Sequence, residues 1–152
     1  MRVSELMSGN VTTIEQSATC HDAVGRMHRA RVRHLPVVDT GGRLVGIVTD
    51  RDLRHRLFAP EVLRDIGTVP VEHLLKGVSV AAIMSAPVVT VRPETELADA
   101  ARLMLEDKVG SVPVVREDGH VVGIVTETDL LRRIVQADDR VNPAVEIIVS
   151  YP

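Results

Sequence analysis

The heptapeptide GIVTDRD occupies residues 46–52, and a near copy of it, GIVTETD, occupies residues 123–129. The two heptapeptides are 77 residues apart, and the similarity at this offset continues on both sides of them. Met7–Arg56 aligns with Met84–Arg133 without a gap, and 20 of the 50 aligned positions are identical. An ungapped match of this length indicates a tandem duplication. The chain therefore consists of two copies of one unit.

Each copy predicts the element order β-α-β-β-α. Apolar residues at helical spacing follow a short β-branched stretch, and two β-rich runs then flank a glycine-containing turn of the kind that joins a hairpin. A helix opened by an acid closes each copy. The predicted first strands are Val11–Ile14 and Val88–Val91, the predicted N-caps of the next helices are Thr19 and Thr95 within two residues, and the predicted hairpin strands are Leu35–Asp39, Leu44–Thr49, Val112–Val115 and Val121–Thr126.

The overall composition bounds the fold and the function classes. The chain has 152 residues, 45 % of them hydrophobic and 1 % aromatic, so the core must be aliphatic. Scarce aromatic side chains, a net charge of −3 and a pI near 6.1 argue against nucleic acid or an anionic membrane as a partner. The single cysteine, Cys20, excludes an intrachain disulfide. With no 18-residue apolar run and no signal-peptide pattern, we expect a cytoplasmic protein.

The repeat divides the chain into four segments. We expect the first repeat at residues 1–58, a helical connector at 59–78, the second repeat at 79–137 and a C-terminal tail at 138–152. Within the connector, Pro70 is placed to begin a short helix at its first position and Gly77 to end it. The apolar run Val145–Val149 predicts either an added strand or a contact with a second subunit. The fold class expected from this is α+β, with the two repeats packed pseudo-symmetrically through their sheets.

Several segments recur in the same order in both copies, and together they resemble the CBS domain. They are VSELMS and VAAIMS at the entries, HLPVVD and SVPVV in the next strands, and the two heptapeptides quoted above. The pair is similar to a tandem CBS module, also called a Bateman module. The resemblance covers roughly Val3–Leu57 and Val80–Gln136, about three quarters of the chain.

The resemblance implies a regulatory or sensor module, not an enzyme. In this family the cleft between two copies often binds an adenine nucleotide or an adenosyl compound. The candidate regulatory ligands are therefore AMP, ADP, ATP and S-adenosylmethionine, with no required cofactor. The family's tendency to pair modules implies a homodimer, and an unidentified protein target is a further expected partner.

Two acidic residues match the ribose-binding position of the family. Asp52 and Asp129 end the repeated heptapeptides, and a carboxylate accepts hydrogen bonds from both vicinal hydroxyls of a ribose. Thr49 and Thr126 stand three residues earlier, where a strand runs into a helix and backbone N–H groups favour a phosphate. The same Thr-x-x-Asp spacing also predicts an ordinary helix cap, and the two roles are compatible.

Basic residues are unevenly distributed between the copies. Residues 1–60 contain nine Lys and Arg against six acidic residues, whereas the rest of the chain contains nine against fifteen. Arg33 and His34 resemble the phosphate-facing positions of the family, and Arg51 lies inside the first heptapeptide. The second copy has Gly110, Ser111 and Thr128 at the equivalent positions. We therefore expect a phosphate chain to point toward Arg33, His34 and Arg51, and the copy-two cleft to hold a less charged ligand or none.

Arg26, Arg29 and Arg31 are interpreted as a solvated helix face. Four aliphatic residues match the family's adenine-contacting positions, although such residues more often belong to a core: Val11, Val88, Ile47 and Ile124. Ser111 and Thr128 complete the candidate ligand-binding set. The six histidines show no metal-ligand spacing.

Two alternatives to ligand sensing stay open. One is a module that dimerises and docks a partner without any ligand. The other is a regulatory fragment of a larger enzyme or transporter, which the start at Met1 argues against mildly and the end at Pro152 leaves open.

Overall fold

The structure, a computed structural model, describes residues 1–57 and 70–138. The first repeat begins with a 3₁₀ turn at Val3–Glu5. The remaining elements are β1 (Ile14–Glu15), α1 (Cys20–Ala30), β2 (His34–Val38), β3 (Leu44–Thr49), α2 (Asp50–Leu57), α3 (Val71–Gly77), α4 (Val80–Ile83), α5 (Leu97–Asp107), β4 (Ser111–Val115), β5 (Val121–Thr126) and α6 (Glu127–Ala137).

Both predicted hairpins are confirmed, and they share one register. β2 pairs with β3 antiparallel from His34 opposite Thr49, and β4 pairs with β5 from Ser111 opposite Thr126. The turns contain Gly42 and Gly119 at positive φ, +82° and +86°, where a side chain would be strained. Matching registers show that the duplicated sequence encodes duplicated geometry.

The first strand of each repeat is shorter than predicted. In place of Val11–Ile14, the first sheet has the two-residue β1, which runs parallel to β2. In place of Val88–Val91, the second sheet has one bridge between Val91 and Val114. The residues before these pairs lie instead along the clefts described below, which explains why β-branched residues there do not extend the sheet.

One of the two helix N-caps is the predicted residue, and the other lies one residue after the predicted one. Thr19 caps α1 as predicted, and its hydroxyl accepts the N–H of Asp22 at 3.1 Å. The N-cap of α5 is Glu96, because the Thr95 hydroxyl instead accepts the N–H of Arg92 at 3.0 Å.

The hydrophobic core of each repeat is completed by residues from the beginning of the other repeat. The core of the first repeat contains Val80 and Ile83 of α4, which are 0 % and 4 % exposed. The core of the second repeat contains Val3, which is 0 % exposed. Backbone bonds fix this exchange, from the Val80 N–H to the Ala18 carbonyl at 2.7 Å and from Val3 to Thr95 at 2.8 Å. Neither repeat therefore has a complete core of its own.

The two sheets meet through pseudo-symmetric contacts. Ser8 bridges Ile124 of β5, and Ser85 bridges Ile47 of β3. The side chains of Met7 and Met84 lie against Gly123 and Gly46 on those same strands. The α+β fold is thereby confirmed. The order β-α-β-β-α is complete in the first repeat, whereas in the second repeat the bridge between Val91 and Val114 stands in place of the first strand.

The connector is described only in its second half. α3 ends at Gly77 as predicted, and Pro70 is its N-cap, one position before the predicted one. The first half of the connector and the apolar run Val145–Val149 lie outside the described residues. Among the helices of residues 1–57 and 70–138, none is long and apolar enough to cross a membrane.

Candidate functional site

Two clefts lie where the repeats meet, and each is named here after its acidic residue. The Asp52 cleft has a volume of about 480 Å³ and the Asp129 cleft about 400 Å³, both within the range of about 300–1,000 Å³ typical of small-molecule sites. Of the residues predicted from the sequence, the Asp52 cleft is lined by Arg33, His34, Ile47, Thr49, Arg51, Asp52, Val88 and Ser111. The Asp129 cleft is lined by Val11, Arg33, His34, Ile124, Thr126, Thr128 and Asp129.

Both repeats contribute to each cleft. Asp52 of the first repeat shares its cleft with Val88 and Ser111 of the second, and Asp129 of the second shares its cleft with Val11 of the first. This exchange follows from the crossed entry segments, because Ser8 and Ser85 carry the adjoining residues across to the opposite sheet. The clefts therefore require both repeats to be folded.

The Thr-x-x-Asp segments form reciprocal caps at the starts of α2 and α6. Asp52 Oδ2 accepts the Thr49 N–H at 2.9 Å and its hydroxyl at 3.0 Å, and the Asp52 N–H donates to Thr49 Oγ1 at 3.1 Å. The corresponding distances for Asp129 and Thr126 are 2.9, 2.7 and 3.2 Å. The capping role is thus present, and it occupies one carboxylate oxygen of each acid. Both of these side-chain bonds of Asp52 are made by Oδ2, so Oδ1 is able to accept hydrogen bonds from a ligand.

Basic side chains line both clefts. The expectation that the copy-two cleft holds a less charged ligand, or none, stays a prediction. Arg33 and His34 line the two clefts alike, whereas Arg51 lines only the Asp52 cleft. Sequence reasoning missed Lys108 in the Asp52 cleft, and it interpreted Arg31 of the Asp129 cleft as a solvated residue. The signal available in the sequence was the repeat, which aligns these two basic residues. In the structure both end a helix in the left-handed conformation.

Several of these cations are without an acidic partner. Arg54 pairs with Asp50 at 3.1 Å, and Arg132 lies 3.7 Å from Asp129 Oδ1. Within the part of the chain that the structure describes, no acidic group lies within 4.0 Å of the charged groups of Arg31, Arg33, Arg51 and Lys108. These four cations are available to an anionic ligand.

His34 lies at the junction of the two clefts. A Cβ built on Gly110 would be 3.3 Å from His34 Nε2 and 3.5 Å from Glu127 Oε2. Gly110 is the repeat equivalent of Arg33, but it has no side chain. The His34 imidazole and the Glu127 carboxylate lie beside the space that a side chain at Gly110 would fill. Gly110 and Glu127 line both clefts, as His34 does.

Burial lowers the pKa of His34 below its ordinary value of 6.5. The nearby carboxylates of Asp50, Glu127 and Asp52 oppose this shift, and Arg33 adds to it. The imidazole is therefore mainly neutral at pH 7 in the unliganded chain.

His34→Asn is expected to raise acid stability relative to the parent chain. Since the folded chain holds a proton on His34 less tightly than the unfolded chain does, the parent loses stability as pH falls through about 6.5 and regains it as pH rises. Melting temperatures between pH 5 and pH 8 test this, with His73→Asn on the exposed face of α3 as the control. Superimposable pH profiles for the parent and His34→Asn would contradict it.

The apolar walls of the clefts are aliphatic. Val11 and Ile124 line the Asp129 cleft, and Ile47 and Val88 line the Asp52 cleft, all four partly buried. A flat heteroaromatic ring would be held between branched side chains rather than stacked on an aromatic one.

Other chemistry finds little support in the described residues. They contain no group of three or more His, Cys, Asp or Glu side chains placed to hold a metal ion. Burial raises the pKa of Cys20 to about 11, so its thiol is protonated at neutral pH and a weak nucleophile.

Comparison with protein families gives two matches in this chain. The model of the CBS domain matches residues 3–59 and 80–136. A CBS domain-containing protein of Dictyostelium discoideum is 35 % identical over 141 residues, which span 93 % of this chain and 96 % of that protein. Other curated relatives are longer, and the chain spans 34 % of one of them and 24 % of an acetyltransferase.

Solved structures match over nearly the whole chain. CBSX2 in complex with AMP is 33 % identical with a TM-score of 0.72, and the match covers 90 % of this chain and 97 % of that one. The CBS domain pair of protein MJ0100, in complex with 5′-methylthioadenosine and S-adenosyl-L-methionine, is 25 % identical with a TM-score of 0.77. That match covers 91 % of this chain and 98 % of the other.

Proposed function

The chain belongs to the CBS domain family, and on that premise we propose that it is a regulatory module that binds an adenosine-containing ligand in the clefts between its repeats. AMP, ADP, ATP and S-adenosylmethionine are the candidates. The ligand acts as a signal and not as a substrate, and no cofactor is required. The module works in the cytoplasm on a protein target.

The observation that carries the proposal is the pair of acids at the clefts. Asp52 and Asp129 each use one carboxylate oxygen for a helix cap, and the other oxygen is outside that cap. Two vicinal ribose hydroxyls are the donors that suit a partly buried carboxylate held in one orientation. A cap alone needs neither a cleft of this volume nor unpaired cations beside it.

The lining suggests an orientation for the ligand. The ribose lies at the acid, and the adenine lies between the aliphatic walls, at Ile47 and Val88 or at Val11 and Ile124. A phosphate then points to Arg33 and the beginning of the adjoining helix, where backbone N–H groups favour an anion. Arg51, Thr128 and Ser111 add polar contacts, and Thr49 and Thr126 hold the two acids.

The solved relatives support this chemistry. AMP is bound to CBSX2, and two adenosyl compounds are bound to the MJ0100 pair, at 33 % and 25 % identity to this chain. The shared feature of these three ligands is adenosine. This agrees with a site organised around ribose and adenine, in which the phosphate-facing side chains decide between ligands.

AMP is expected to stabilise the chain against heat. A ligand at 100 times its Kd adds about 2.7 kcal/mol to the free energy of unfolding. For a chain of this length that corresponds to a rise in melting temperature of about 5–10 °C. The measurement is a thermal shift series with AMP, ATP and S-adenosylmethionine up to millimolar concentration. No shift with any of the three would contradict the proposed function.

A second candidate, association without a ligand, is favoured by one surface. On α6, Leu131, Ile134 and Val135 are 62 %, 64 % and 72 % exposed, and Leu105 of α5 is 79 % exposed. Exposed apolar patches of this kind mark interaction surfaces. They support a homodimer, and they are compatible with ligand binding in the clefts. The longer relatives, of which this chain spans 34 % and 24 %, support a third candidate, a regulatory fragment of a larger enzyme or transporter.

A further inference from the structure

We propose that the two clefts compete for one set of junction side chains, so that a phosphorylated nucleotide in one cleft weakens the binding of a second one in the other. The inference rests on the proposed function and adds a rule for occupancy. Adenosine-type ligands without a phosphate escape this competition. The pair thus holds one phosphorylated nucleotide far more readily than two.

The first support is geometric. Four residues line both clefts, and all of them lie where β2 and β4 begin or where α6 starts: Arg33, His34, Gly110 and Glu127. The backbone is arranged symmetrically there, with the Asp50 N–H donating to the Arg33 carbonyl at 3.1 Å and the Glu127 N–H donating to the Gly110 carbonyl at 3.0 Å. The side chains are not symmetric, because Gly110 has none. A single arginine therefore serves a junction that has two equivalent backbone positions.

The second support is the balance of charge. Apart from Arg33, the Asp52 cleft is lined by three basic and three acidic residues, and the Asp129 cleft by two of each. Arg33 is thus what gives either cleft an excess of positive charge. Its guanidinium is a planar fork suited to one phosphate in a bidentate contact.

The same balance limits the two clefts taken together. Their combined lining has six basic and four acidic residues, an excess of two positive charges. A phosphate monoester carries about −1.5 to −2 at pH 7, so one AMP uses that excess and a second finds none. Of the four acidic residues counted here, Glu127 is the one that lines both clefts.

The experiment measures AMP and adenosine binding by titration calorimetry in three chains. Asp52→Ala and Asp129→Ala each weaken one cleft, so that the tighter binding constant of each variant reports the other cleft, and the unaltered chain gives the two stepwise association constants. If the clefts were independent, the product of the stepwise constants would equal the product of the two single-cleft constants. For AMP we expect a product at least tenfold lower, and for adenosine we expect agreement within twofold.

Two further variants test the assignment to the junction. In both the Asp52→Ala and the Asp129→Ala background, Arg33→Ala is expected to weaken AMP binding about tenfold and to leave the affinity for adenosine unchanged. This result would show that one arginine serves both clefts. Glu127→Gln removes a negative charge from the junction. It is expected to bring the product of the stepwise AMP constants closer to the product of the two single-cleft constants. Glu117→Gln, in the exposed β4–β5 turn, is the matched control and should not change it.

The outcomes separate this inference from the proposed function. AMP binding to both clefts with the product expected for independent sites would overturn the competition while leaving the function intact. So would an Arg33→Ala effect confined to one cleft, or a penalty of equal size for adenosine. Binding of neither probe to the unaltered chain would overturn the competition, and the proposed function would be overturned with it if ATP and S-adenosylmethionine also left the melting temperature unchanged.

Discussion

Gly46→Ala is expected to reduce the free energy of unfolding by about 1–3 kcal/mol, the cost of an extra methyl group in a packed interface. The added Cβ would lie 2.9 Å from Met84 Cγ and closer still to its sulfur, and 3.2 Å from the Ser85 carbonyl oxygen. Met84 can change rotamer, but Ser85 cannot move away without losing its two backbone bonds to Ile47, at 2.8 and 3.0 Å. For Gly123→Ala the three atoms nearest to the added Cβ all belong to the Met7 side chain, so this substitution should cost less.

Urea unfolding of the variants measures this difference. Gly9→Ala is the matched control, because no atom lies within 4 Å of the Cβ position there. Gly46→Ala should cost less in a Met84→Ala background than in the unaltered chain, since Met84→Ala removes the two atoms nearest to the new methyl group. Equal stabilities for Gly46→Ala and Gly9→Ala would show that the sheets do not approach as closely as described.

Local elements of this fold could be predicted because their signals are local. The two hairpins depend on β-branched runs around a glycine turn, and the helix after Thr19 depends on a cap three residues before Asp22. The duplication strengthened each of these predictions, because a weak signal seen twice at one offset is a strong one. The predicted first strands are longer than the observed ones, because the same β-branched residues also suit the wall of a cleft.

The exchange between repeats could not be predicted in the same way. The sequence near Val3 and Val80 does not indicate which of the two similar cores will bury each residue. That assignment depends on how the two sheets meet. The same holds for Arg33 and His34, whose contribution to both clefts is a property of the junction. Residue types at the site were foreseeable, but their distribution between two clefts was not.

Asp52→Ala and Asp129→Ala are expected to weaken AMP binding about 10- to 100-fold, each in its own cleft. A hydrogen bond to a charged group contributes about 1.5–3 kcal/mol, and tenfold in affinity corresponds to about 1.4 kcal/mol. Each substitution also removes the carboxylate half of a reciprocal helix cap, so the chain should lose about 1 kcal/mol of stability as well. Affinity and stability therefore have to be separated.

Asp22→Ala provides that separation. Asp22 makes the same reciprocal cap with Thr19, at 3.0, 2.8 and 3.1 Å, but it lines neither cleft. Its loss should lower the melting temperature by about as much as the loss of Asp52 or Asp129. AMP affinity should stay at the value of the unaltered chain.

Equilibrium binding of AMP to the Asp52→Ala/Asp129→Ala double variant, beside Asp22→Ala and the unaltered chain, is the most direct measurement of whether these acids hold a ribose. We expect the double variant to remain folded and to bind AMP at least tenfold more weakly at every site, with Asp22→Ala indistinguishable from the unaltered chain. A double variant that loses only cap stability and keeps full affinity would contradict the account, because both acids would then serve the helices alone.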